Sequence, residues 1–115
     1  MTEPDADLKI AEKNADAALM ASVNEAPATA RTDVKRLCAL ADRLERDSIT
    51  RVNSSDPASY RWGHQLADEF RSLMRVLRAQ YPLTVASYEA DQAVELAWED
   101  ARDYAEANGQ HGAGA

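Results

Sequence analysis

The sequence predicts an all-α protein, a three- to four-helix bundle with short connections and a disordered C-terminal tail. Three observations carry this. Pro4, Pro27, Pro57 and Pro82 divide the 115 residues into four segments, and three of the four glycines fall in the last seven residues. Proline suits the first turn of a helix and glycine its end. The larger apolar residues recur at three- and four-residue spacing, and β-branched residues are too few for a sheet.

The first segment, about 4–23, is expected to be a helix that Thr2 can cap. Its apolar content is weak: Leu8, Ile10, Leu19, Met20, Val23 and many alanines. It reads as an arm that docks on the core or on another subunit, with residues 24–31 as linker. The second helix is placed at about 32–52, with Thr32 as N-cap. Val34, Leu37, Ala41, Leu44 and Ser48 form its apolar stripe. Asn53 to Asp56 is a turn, and Ser55 or Asp56 caps a third helix over about 57–80. There Trp62, Leu66, Phe70, Leu73 and Leu77 step by three or four. Gly63 costs about 1 kcal/mol relative to Ala inside a helix, which points to a close approach by a neighbour. The fourth helix spans about 83–107, with Thr84 as N-cap and Leu83 with Tyr88 as a hydrophobic staple. Ala90, Val94, Ala97, Trp98, Ala101 and Ala105 form a narrow seam suited to close helix packing. Asn108-Gly109 signals the stop, leaving 109–115 as tail. The expected organisation is an arm and linker over 1–30, a helical core over 31–108, and the tail.

Composition bounds the function. Alanine supplies 23 of the 52 hydrophobic residues, so the core is thin and help from a second subunit or partner is expected. The net charge is −7 and uneven. Residues 1–30 hold two Lys/Arg against six Asp/Glu, residues 31–81 ten against seven, and residues 82–115 one against seven. A nucleic-acid binder carries a basic footprint; this balance argues against one. No apolar run approaches a membrane span. The acidic N-terminus lacks a signal peptide's basic start, so the expected location is cytoplasmic.

Catalytic chemistry finds no motif. Cys38 is the single cysteine and lies among apolar positions, where a buried structural thiol is expected. His64 and His111 cannot complete a zinc or di-iron set. All-α nucleotide pyrophosphohydrolases of the MazG type carry Glu-Glu-x-x-Glu on one helix and Glu-x-x-Asp on the next. Here Asp68-Glu69 is followed by Ser72, and Glu99 by Arg102; only Asp100-x-x-Asp103 fits, loosely. Arg61-Trp62-Gly63 likewise departs from the Trp-x-Gly turn of small secreted helical hairpins. A Mg²⁺-dependent hydrolase is therefore the lesser alternative, and no cofactor or metal is expected.

The candidate binding surface lies on the fourth helix. Asp91, Glu95, Glu99 and Asp103 recur every four residues as an acidic stripe. Tyr88 and Leu96 interrupt it as apolar anchors, the usual chemistry of a contact patch. Arg71, Arg75 and Arg78 form a basic stripe on the third helix that can pair with those acids within or between chains. The expected function is a non-enzymatic interaction module, a small acidic adaptor or inhibitor such as a phage-type anti-defence protein, docking its acidic face on a basic protein surface. The alternative is a homo-oligomeric structural protein.

Overall fold

A computed structural model describes residues 4–113, with side chains described through residue 108. It contains α1 (Pro4–Ser22), α2 (Ala28–Val52), α3 (Pro57–Gln80) and α4 (Pro82–Ala113), and no strand among the described residues. The four-helix all-α class is as expected. Thr2 lies outside the described residues. The tail expected at 109–115 falls where side chains are not described, and α4 is assigned through Ala113.

Two helix starts differ from expectation. α2 begins at Ala28, directly after Pro27 at the N-cap position. Pro27 fixes the extended backbone from which the helix departs. Thr32 is already inside it, and its hydroxyl donates to the Ala28 carbonyl at 3.0 Å instead of capping. α4 begins at Pro82, so Thr84 sits in its first turn. Tyr81 alone separates α3 from α4, with φ −133° and ψ 53°. A following proline disfavours the α region, so Pro82 forces this break. Asp56 caps α3 as expected, its carboxylate accepting from the Ala58 N–H at 3.4 Å.

The helices associate in two antiparallel pairs. α2 and α3 form a hairpin; α1 lies along α4, and among the described residues α1 packs on α4 alone. The hairpin closes tightly at Gly63. A Cβ there would lie 2.8 Å from the Val52 backbone nitrogen and 2.9 Å from Val52 Cγ2. Beside it the buried Ser48 hydroxyl donates to the Gly63 carbonyl at 2.7 Å. In the other pair, Leu8, Ala11, Ala15, Ala18 and Ser22 turn inward on α1, and Ser87, Ala90, Val94, Ala97 and Ala101 on α4. The alanine seam therefore has α1 as its partner, although Trp98 and Ala105 stay exposed.

The pairs meet where the first turns of α4 cross the hairpin. Val85 joins Val34, Cys38, Ala41, Met74 and Leu77 in a small core, flanked by Phe70, Leu73, Tyr81 and Tyr88. The α1–α2 loop fastens the same junction. Glu25 accepts from the Leu83 N–H (2.9 Å), the Thr84 N–H (2.6 Å) and the Thr84 hydroxyl (2.6 Å). A carboxylate from another segment thus takes the capping role expected of Thr84, satisfying donors that a helix start leaves free.

The result is open. The radius of gyration is 18.3 Å, against about 13 Å for a compact chain of this length.

Two consequences are measurable. Gly63→Ala gains helix propensity of about 1 kcal/mol but forces a methyl onto rigid backbone, costing about 1–3 kcal/mol. Chemical denaturation should show net destabilisation; an unchanged or higher midpoint would contradict the tight approach. Burial opposes ionisation of Glu25, but the hydrogen bonds from Thr84 and Leu83 outweigh it and hold its pKa below the ordinary value. That stabilisation is full above the ordinary glutamate range and is lost as pH falls through the lowered value. Glu25→Ala should cost on the order of 1 kcal/mol near neutrality, and its melting temperature should converge on the wild type in acid.

Candidate partner-binding groove

Successive residues turn about 100° round an α-helix, so a four-residue step advances about 40°. The acidic stripe on α4 therefore winds instead of running straight, and Asp91 and Asp103 point about 120° apart. The structure separates their roles accordingly. Asp91 is ion-paired with Lys35 of α2 at 3.1 Å, and the same ammonium donates to Ser87 at 3.0 Å. It links α4 to the hairpin, with the Asp91 side chain half exposed. Glu95 shares a cleft between α1 and α4 with Glu12, Asp16 and Asp91. Glu99 and Asp103 are exposed further along α4, on the side where Leu96 lies.

Tyr88 is not an exposed anchor. Its ring packs against the core cluster, and its hydroxyl donates to the Asp42 carboxylate on α2. Burial, then the hydrogen bond to Asp42 and the negative charge of Asp42, push the Tyr88 pKa well above the ordinary tyrosine value. Nor does it staple the helix start with Leu83, which stays exposed while Tyr88 turns inward. Leu96 does stand exposed, at 63%.

The basic stripe is also dispersed. Arg71 pairs with Asp68 within α3. Arg78 alone of the three reaches α4, and it meets Glu89 at 3.5 Å, outside the expected stripe. Among the described residues Arg75 pairs with no acid. Opposite charges therefore meet within the chain at Arg78–Glu89 and Lys35–Asp91. Such exposed pairs contribute only about 0–1 kcal/mol each, so they set orientation more than stability.

What the fold brings together is a groove of about 400 Å³ in the angle between α4 and the hairpin. Buried Met74 and half-buried Phe70 of α3 line it together with half-buried Tyr88 and exposed Leu96 of α4. Asp42, Glu45 and Glu89 line it with carboxylates, and Arg78 is the one cation among its lining residues. Tyr88 and Leu96 were legible as apolar interruptions on α4. Phe70, Met74, Asp42 and Glu45 were missed as site residues, because periodicity shows which way a side chain points on its own helix and not which helix faces it.

Other candidate chemistry is quiet. Cys38 is fully buried. Burial, with the negative charges of Asp42 and Glu89, pushes its thiol pKa up, away from the reactive thiolate. His64 lies edge-on to Tyr60 at 4.5 Å, and the His111 side chain is outside the described residues. Among the described residues no three His, Cys, Asp or Glu side chains gather as metal ligands, and no helix is long and apolar enough to cross a membrane. No protein-family model, curated protein or solved structure matches the chain.

The Tyr88–Asp42 bond gives a spectroscopic prediction. The sequence has four tyrosines. On alkaline titration followed by tyrosinate absorbance, one of them should lag the others, and Tyr88→Phe should remove the lagging phase. The variant should lose about 1 kcal/mol of stability. A lag that survives the substitution would place the buried phenol elsewhere.

Proposed function

We propose that this chain is a non-enzymatic protein-binding module, an adaptor or inhibitor that receives an apolar segment of a basic partner in the groove between α4 and the α2–α3 hairpin. One observation supports this above the rest. Leu96, a large apolar side chain, stands 63% exposed on a recess lined by the apolar Phe70 and Met74 and by the carboxylates of Asp42, Glu45 and Glu89. Apolar anchors that enter such a recess supply binding energy, and the charge around it supplies rate and selectivity.

The chemistry of the occupant follows from the lining. An amphipathic helix would place aliphatic or aromatic residues on Phe70, Met74 and Leu96. Its lysines or arginines would face Asp42, Glu45 and Glu89, with Glu99 and Asp103 continuing the acidic field along α4. This is the helix-in-groove mode of recognition. The excess acid on α1 and α4 would draw a basic partner in from a distance, an effect that weakens as salt screens it.

A synthetic amphipathic Leu/Lys helical peptide tests the reading against the ¹⁵N-labelled protein. Shift changes should centre on Phe70, Met74, Glu45, Leu96 and Glu99. Glu45→Lys with Glu99→Lys should slow association about tenfold or more at low salt, with a smaller effect at high salt. Leu96→Ala should weaken binding at both. Shifts that avoid the groove, or indifference to all three substitutions, would defeat the proposal.

A further inference from the structure

We infer that the face of the α2–α3 hairpin opposite α4 receives a second copy of this chain, giving a dimer with a four-helix bundle at its centre. Lys35, Cys38 and Asp42 on α2, with Met74 and Arg78 on α3, mark the side that α4 covers. Two residues along an α-helix turn about 200° round it. Leu37 and Leu40 therefore point away from that side on α2, and Val76 points away from it on α3. All three are exposed, Leu40 at 42% and Val76 at 52%. Half-buried Leu44 and exposed Trp62 carry the apolar strip on toward the α2–α3 turn, interrupted on α3 by the exposed Glu69. None of the described helices closes over it, since among the described residues α1 packs on α4 alone.

Three arguments select a second copy as the occupant. The first is area. The chain exposes 8070 Å², against about 6,200 Å² for a compact monomer of this mass. That surplus, spread over the whole open chain, leaves room for an interface of the size each chain of a stable homodimer buries. The second is charge. The charges beside the strip on α2 are neutralised locally, Asp33 with Arg36 at 3.8 Å and Asp47 with Arg51 at 3.2 Å. The excess acid lies on α1 and α4, so a strongly basic partner is drawn there. A two-fold contact instead sets this face against itself, its α2 charges balanced locally and Glu69 its one acid on α3 between Trp62 and Val76. The third is length. α2 has 25 residues and α3 has 24, so two hairpins set face to face match along their full extent.

Sedimentation and light scattering across a concentration series, at low and high salt, test this independently of the groove. The wild type should approach twice 12.6 kDa as concentration rises, and the dimer should persist or tighten with salt. Leu40→Glu with Val76→Glu should give a monomer of unchanged helix content. Leu37→Gln with Trp62→Gln should also dissociate it, and guards against a folding defect in the first pair. Glu95→Lys with Glu99→Lys should leave the dimer intact. A wild type that stays at 12.6 kDa throughout would overturn the inference. So would a dimer that survives both apolar pairs, or one that salt or the α4 charge reversal dissolves.

Discussion

Small residues at the helix contacts are the constraint on which this structure depends. α1 meets α4 through Ala11, Ala15, Ala18 and Ser22 against Ser87, Ala90 and Ala97, and α2 meets α3 around Ala41, Ser48 and Gly63. Such seams let backbones approach closely, but each contact removes little apolar area from water. Helices joined this way pair well and have no bulky interior to close around. The largest fully buried side chains are Val85, Thr84, Cys38, Ser22 and Ser87, three of them hydroxylic. Leu66, Met74 and Leu77 are buried, but many of the larger apolar residues remain outside: Leu37, Leu40, Trp62, Val76, Leu96 and others. The open shape, the groove and the bare face of the hairpin all follow from that distribution.

With so small a core at the junction, the angle between the two pairs is set largely by polar links. Glu25 caps α4 from the α1–α2 loop, Lys35 ties Ser87 and Asp91 to α2, and Tyr88 reaches Asp42. All of them fall on the N-terminal turns of α4, and Arg78–Glu89 adds a fourth there. Further along, the inward residues Val94, Ala97 and Ala101 of α4 face α1 among the described residues. The groove beside Leu96 lies between α4 and the hairpin. Residues far from it in sequence, Glu25 above all, therefore help fix its width.

Much of this was legible and some was not, for a common reason. Proline placement marked all four helices. The cost of Gly63 pointed to a close approach, and the alanine run on α4 to a tight seam. Each is a property of one helix read alone. The pairing of α1 with α4 was not legible, because an alanine seam accepts any small-residue face. Four-residue spacing marked the acidic residues of α4 but hides a drift of about 40° per step. Tyr88 looked like an exposed anchor because nothing in α4 announces that Asp42 lies opposite. Thr32 and Thr84 looked like caps because their type suits the role, while Pro27 and Pro82 had already set the helix starts.

The functional reading and the dimer both presuppose that α1 stays on α4 and leaves the hairpin bare. Methyl-resolved nuclear Overhauser spectra of the selectively labelled protein test that most directly. Ala15 should show contacts to Val94, and no α1 methyl should contact Leu37, Leu40 or Val76. Contacts from α1 to those three residues would mean a closed four-helix bundle, with the face of the hairpin already covered by its own chain.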